Sequence, residues 1–187
     1  MKILIAGGGI GGLTTALACL KAGFEVEVFE QAPELGEIGA GLQLSSNAMH
    51  VLRALGLETE ITSRAFEPEA LEMRLGRSGK QVFSIPIKAQ SAKRYGAPYL
   101  HIHRADLLDV LAKALRERAP DALKTGHRVS TYRADSCHIH LDFGDNGSAT
   151  GDVLIGADGI HSIIRETMQG PDKPRFTGNV AWRVTVP

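Results

Sequence analysis

Lys2–Glu30 reads KILIAGGGIGGLTTALACLKAGFEVEVFE, and its three parts decide the fold. Lys2–Ala6 is a short apolar run, read as a buried strand. Glycine then dominates from Gly7 to Gly12, where a first strand should hand over to a first helix. Ile10–Ala22 reads as that helix, and Glu25–Glu30 (EVEVFE) as a second strand. A strand–helix–strand unit of this length implies a parallel pair joined by a right-handed crossover.

The glycines fit G-x-G-x-x-G as Gly7, Gly9 and Gly12. In that spacing the first glycine permits a tight turn out of the strand. The second removes a side chain so that the backbone can approach a pyrophosphate, and the third lets the helix pack close to the sheet. Phosphates then meet the free N–H groups and positive dipole end of the helix. Glu30 ends the second strand, eighteen residues after Gly12. A carboxylate there can accept hydrogen bonds from adenosine ribose hydroxyls and would repel a 2′-phosphate. The combination points to a dinucleotide site that reads an ADP half, which FAD and NAD share.

The bulk composition narrows the class. The chain has 187 residues, with 43% hydrophobic and 22% charged, as in a globular protein with a core. Its 21 basic and 21 acidic residues cancel, which argues against a nucleic-acid or membrane-surface binder. The two cysteines, Cys19 and Cys137, form no CxxC motif, so a disulfide framework or zinc site is not expected and a reducing, cytoplasmic compartment is. MKILIAGGG is too short for a signal peptide or a membrane span.

Further along, Glu37–Asn47 reads as a glycine-rich loop, and Ser45 or Ser46 as the cap of a helix that Gly56 stops. Glu72–Leu75 and Gln81–Pro86 read as two strands around a turn, and Lys88–Pro98 as polar and irregular. Tyr99–Arg104 is a short strand. Ala105–Ala119 is an amphipathic helix with a core stripe of Leu107, Leu108, Val110, Leu111 and Leu115. Strand-like alternation runs over 124–143, followed by the turn GDNG, the strand Asp152–Asp158 and a helix over 160–168. Asn179–Val186 (NVAWRVTV) reads as a last strand with nothing after it to cover it. The chain is therefore expected to be the N-terminal half of a longer protein; the alternative is a complete small domain with an edge strand. His101 with His103, and His138 with His140, each share a strand face, but no cysteine or carboxylate completes a metal set. They are read as solvent-facing positions. Cys19 is read as a buried small apolar residue.

Three stretches carry a family resemblance: VLIGADGIHSIIR (153–165), YLHIHRADLLDVL (99–111) and FTGNVAWRVTVP (176–187). Together with QAPELGEIGAGLQLSSNAMHVLRALGL (31–57), they make the chain resemble the N-terminal half of a salicylate-hydroxylase-like, single-component FAD monooxygenase. The resemblance implies an α/β, Rossmann-like FAD/NAD(P)-binding fold with a parallel sheet and a three-stranded β-crossover, plus partial substrate-domain strands. It implies an FAD-binding domain over 1–68 and 100–170, and substrate-domain pieces over 69–99 and 171–187. Gly7, Gly9 and Gly12 would face the FAD pyrophosphate, and Glu30 the ribose. Arg104 would reach the flavin-side phosphate or ribityl region, with Asp158 and Gly159 near the ribose and pyrophosphate. Ser162 and Arg165 would lie in a segment that also helps receive NAD(P)H. Gln31 and Gln43 are secondary contacts. Some relatives have a histidine base at the Gln43 position, and glutamine cannot take that proton.

The implied reaction is hydroxylation of a small aromatic, salicylate-like substrate, with NAD(P)H as reductant and O2 as oxidant. A homodimer fits, and neither nucleic acid nor membrane is an expected partner. No catalytic residue is assigned. Several assignments have a plainer alternative, and the glycines of the first loop suit helix–sheet packing alone. Asp158 suits a simple turn with Gly159, and Arg104 a surface ion pair. Trp182 and Arg183 suit either an aromatic-acid pocket or an ordinary strand. For the whole chain the alternatives are a non-catalytic FAD- or ADP-binding module and a flavin or NAD oxidoreductase that does not hydroxylate.

Overall fold

The computed structural model describes residues 1–36, 41–171 and 174–182. These fall into two compact units. The described parts of Met1–Glu37 and Leu108–Arg183 form the first, and those of Ile38–Leu107 the second.

The first unit is built on the predicted strand–helix–strand. β1 (Lys2–Ala6) leads into α1 (Ile10–Lys21), and β2 (Glu25–Phe29) returns parallel to β1. β7 (Leu123–Lys124) and β11 (Val153–Gly156) complete a four-stranded parallel sheet in the order β11-β1-β2-β7. β1 is central and carries no polar residue after Lys2, so Ile3, Leu4, Ile5 and Ala6 are all buried. β8 (Thr131–Ala134), β9 (Ile139–Asp142) and β10 (Ser148–Gly151) form an antiparallel sheet in the order β10-β9-β8, the expected three-stranded layer. Leu4, Ala6, Phe29, Leu141, Phe143 and Ile164 make one core cluster. In it the Phe29 and Phe143 rings stand 4.5 Å apart. Emptying the Phe29 site would cost about 3–5 kcal/mol. From Leu108 onward, α5 (Arg104–Arg118) belongs to this unit and buries Leu108, Val110, Leu111 and Leu115, as its apolar spacing required. α6 (Ile163–Gln169) closes the unit.

The second unit pairs β3 (Gly41–Leu44) antiparallel with β6 (Leu100–His103). It also holds α2 (Ser46–Ala54), α3 (Glu58–Arg64) and a hairpin of β4 (Ala70–Arg74) and β5 (Gln81–Pro86). α4 (Lys88–Tyr95) follows.

Four expectations change. Lys88–Tyr95, read as irregular, is a helix: it contains no glycine, proline or β-branched residue. It ends at Gly96, whose φ of +73° suits the left-handed cap that glycine tolerates best. Gly41–Leu44, read as loop, is a strand because Leu42 and Leu44 alternate against β6. Asn179–Trp182 carries no strand, and Trp182 is 94% exposed; Arg183 and the rest of that predicted strand lie outside the described residues. His101, His103 and His140 are half-buried rather than solvent-facing, and Cys19 is half-buried rather than buried. His140 is held between Asp135 (2.7 Å) and Thr150 (3.0 Å). That imidazole, with the Cys137 and His138 amides, keeps the Asp135 carboxyl well below the usual carboxylate range. Among the described residues no helix is long and apolar enough to cross a membrane.

Candidate functional site

The first unit brings three loops together at the ends of β1, β2 and β11. β1 leads into the turn at Gly7, whose φ is +106°, a conformation other residues resist. A side chain on Gly7 would overlap the Ala157 carbonyl and lie 2.9 Å from the Asp158 nitrogen. The loop after β1 and the loop after β11 therefore pass backbone against backbone. The Ala157 amide donates to the Ala6 carbonyl at 2.7 Å, and the Gly7 amide to the Phe29 carbonyl at 2.7 Å. Gly12 lies so close to the Gly7 carbonyl that a side chain there would overlap it.

Gly9 behaves differently. It is the N-cap of α1, and a side chain built on it meets no atom within 4 Å. No side chain caps that helix, and its first turn holds no acidic residue. The first-turn N–H groups therefore lack protein partners and sit beside a bare backbone, which suits an anion. The three glycines divide as the motif requires: Gly7 turns, Gly12 packs, and Gly9 leaves room.

Glu30 follows β2 at the edge of this loop and is half-buried. Its Oε2 accepts the Gly8 amide proton at 2.7 Å and its Oε1 that of Ala32 at 2.8 Å. Both oxygens thus brace the backbone, and each keeps a lone pair for a further donor. Gly8 is a site residue that sequence reasoning missed. A Cβ on it would stand 2.8 Å from the Glu30 Cβ, and the motif treats that position as variable. Gln31, next in sequence, is exposed.

Asp158 and Gly159 form the facing loop. The Asp158 carboxylate accepts from the Ser162 hydroxyl and from the Ile163 and Ile164 amides at 2.7 and 3.2 Å. Ser162 in turn accepts the Arg165 amide proton at 2.9 Å, as the N-cap of α6. The Arg165 guanidinium folds back to donate to the Ile160 carbonyl at 2.8 Å and the Gly159 carbonyl at 3.5 Å. Asp158 and Arg165 together hold this loop in shape from below.

Two candidates lie in the second unit. Gln43 is exposed on β3, directly opposite His101 of β6. Arg104 is half-buried and opens α5. Among the described residues no three His, Cys, Asp or Glu side chains converge as a metal set.

The residues of the first unit fit a dinucleotide. An open glycine at an uncapped helix end leaves room for a pyrophosphate, and a braced carboxylate after β2 keeps lone pairs that ribose hydroxyls could use. Comparison with known proteins agrees. The family described as "FAD binding domain" matches residues 1–184. The 3-hydroxybenzoate 6-hydroxylase of Polaromonas naphthalenivorans is 40% identical over 187 residues, covering 100% of this chain and 46% of that protein. The 6-hydroxynicotinate 3-monooxygenase of Bordetella bronchiseptica is 33% identical over 186 residues, covering 100% and 48%. Among solved structures, Klebsiella pneumoniae HpxO complexed with FAD and uric acid superposes with a TM-score of 0.76. It is 29% identical, with 89% of this chain and 41% of that one covered. The chain spans about half the length of the curated relatives it matches.

Proposed function

The chain belongs to the FAD binding domain family, and from that premise we propose that it is the FAD-binding portion of a flavin monooxygenase that hydroxylates an aromatic ring. The observation that carries this is the open Gly9 at the uncapped start of α1. The first-turn amides there receive the FAD pyrophosphate. Glu30 accepts from the adenosine ribose while its bonds to Gly8 and Ala32 hold the loop rigid. Asp158 and Gly159 present backbone and carboxylate near the ribose–pyrophosphate, and Arg165 keeps that loop in place. Gln31 adds a secondary contact at the adenosine side. Arg104 supplies a fixed cation to the flavin-side phosphate or ribityl chain, and Gln43 a neutral amide that neither gains nor loses a proton.

Bound FAD supplies the redox chemistry of oxygen transfer from O2, with NAD(P)H as the reductant. The protein's part is to orient the cofactor and fix its charged end. A hydroxylated aromatic acid, salicylate-like in class, is the substrate this supports, since the relatives named above act by name on hydroxybenzoate and hydroxynicotinate. We assign 1–68 and 100–170 to the FAD-binding domain, and 69–99 with 171–187 to the substrate domain. Supporting that division, the β4–β5 hairpin exposes Met73, Phe83 and Ile85, and two strands alone are marginal in water. A cytoplasmic homodimer completes the proposal; a related oxygenase solved in a tetrameric form is in keeping with self-association. The test is an FAD titration of the purified chain followed by flavin fluorescence. Saturable binding that Gly9→Ala weakens is expected, and binding indifferent to Gly9→Ala overturns the site.

A further inference from the structure

The sheet β10-β9-β8 sends Leu141 into the core and leaves its outer face polar. Along that face the register sets Arg133, His140 and Thr150 in one row across β8, β9 and β10. Asp142 shares the face, but its carboxylate is taken by the Ser130 hydroxyl and the Gly144 amide.

The ladder brings His140 and Thr150 close. The Asp135 amide donates to the His138 carbonyl at 3.0 Å and closes the β8–β9 turn, which makes Arg133 and His140, two steps on, a hydrogen-bonded pair. The backbone of His140 is thereby directed to β8. His140 and Thr150 form the other kind of pair, in which side chains stand nearer each other. The same alternation turns the Thr150 amide away from β9, toward the edge of the sheet.

Three side chains then align. Asp135 Oδ2 meets His140 Nε2 at 2.7 Å, while Oδ1 accepts the Cys137 and His138 amides, each at 2.8 Å. The carboxyl so held is ionised, and an ionised carboxylate only accepts. Nε2 therefore carries the proton of the neutral ring, and Nδ1 is bare. Nδ1 lies 3.0 Å from the Thr150 hydroxyl, which donates to it. A hydroxyl, an imidazole that can take its proton and a carboxylate that orients the imidazole are the parts of an activated nucleophile. Thr150 is exposed, so a reagent can approach it.

We propose that Thr150 is a nucleophile toward small activated carboxylic esters, with His140 as its general base and Asp135 as the residue that positions the imidazole. The Thr150 oxygen bonds to the acyl carbon, and its proton passes to His140 Nδ1. The bond to the leaving oxygen breaks, the electron pair departs with that oxygen, and the proton is handed to it. Water then repeats the step on the Thr150 ester, releasing the carboxylic acid and restoring the hydroxyl. The outward-turned Thr150 amide supplies a donor to the oxyanion.

The test is nitrophenolate release from para-nitrophenyl acetate by the purified chain, with peptide mass spectrometry to locate the acetyl group. Acetyl on Thr150 is expected. Thr150→Val, which keeps the branched shape on the strand, should abolish it, and Thr150→Ser should retain it. His140→Gln should slow the reaction about a hundredfold, a usual share for a general base. Asp135→Asn should slow it too, and nitrogen NMR should show that the His140 proton has left Nε2. Thermal unfolding reports that each variant is folded. The proposal is overturned if acetyl appears only on Cys137, His140 or lysines, or if Thr150→Val or His140→Gln reacts as fast as the parent chain. An unchanged His140 tautomer in Asp135→Asn overturns the positioning role.

Discussion

The Glu30 carboxylate accepts the Gly8 amide proton at 2.7 Å, so the end of β2 holds the loop after β1 directly. A residue expected to serve a ribose is therefore also a structural brace. Glu30→Ala removes two charge-assisted bonds to backbone amides, each worth about 1.5–3 kcal/mol. The chain should melt at lower temperature even without cofactor, and its affinity for FAD should fall at least about tenfold. Thermal unfolding with and without FAD separates the two effects. An unchanged melting temperature in the free protein would contradict the bracing role.

Gly9→Ala and Gly12→Ala should part company. A methyl on Gly12 overlaps the Gly7 carbonyl, so that variant should lose about 3 kcal/mol or more, as close-packed sites do when overfilled. A methyl on Gly9 meets nothing and its φ of −73° suits alanine. That variant should fold with a loss under about 1 kcal/mol, the ordinary cost of alanine at an N-cap, yet bind FAD poorly. Urea unfolding gives the first quantity and fluorescence titration the second.

Asp158→Ala should unfasten α6. It deletes the acceptor for the Ile163 and Ile164 amides and for the Ser162 hydroxyl. A loss of about 1–3 kcal/mol is expected. Amide exchange at Ile163 and Ile164 should rise far more than at Ile5, which lies in the central strand.

Glu27 gives a pH dependence. Burial pushes its carboxyl upward from 4.5, but Lys124 and Lys2, at 2.9 and 3.0 Å, bring it below that value. A carboxyl depressed in the folded state stabilises above its ordinary pKa and loses that contribution as pH falls through the folded value. Stability should therefore drop below about pH 4.5, more steeply than in Glu27→Gln. At neutral pH the variant should be weaker by about 0.5–1 kcal/mol, since both lysines are partly exposed. Urea unfolding across pH 3–7 checks both, and parallel curves would contradict the network.

What could be read from the sequence follows from where the signals are strong. Lys2–Glu30 was legible because its apolar runs are continuous and its glycines sit at fixed offsets. The stripe from Leu107 to Leu115 was legible because helical spacing is unambiguous over fifteen residues. α4 was not, since among its eight residues only Ser91 is buried and the polar run carries no period. Asn179–Trp182 failed in the opposite way: Val180 and Trp182 favour strands, but Asn179 and Ala181 do not, and a strand forms only where a neighbour accepts its backbone. The double duty of Glu30 was not legible either, since hydrogen bonds across 22 residues leave no local mark.

The central claim is that the loop from Gly7 to Gly12, with Glu30, holds the ADP half of FAD. The most direct measurement is competition: FAD bound to the purified chain, displaced by ADP or by FMN, and followed by flavin fluorescence. The account predicts that ADP displaces FAD and that FMN, which lacks the adenosine half, does not. FMN displacing FAD while ADP leaves it bound would contradict it.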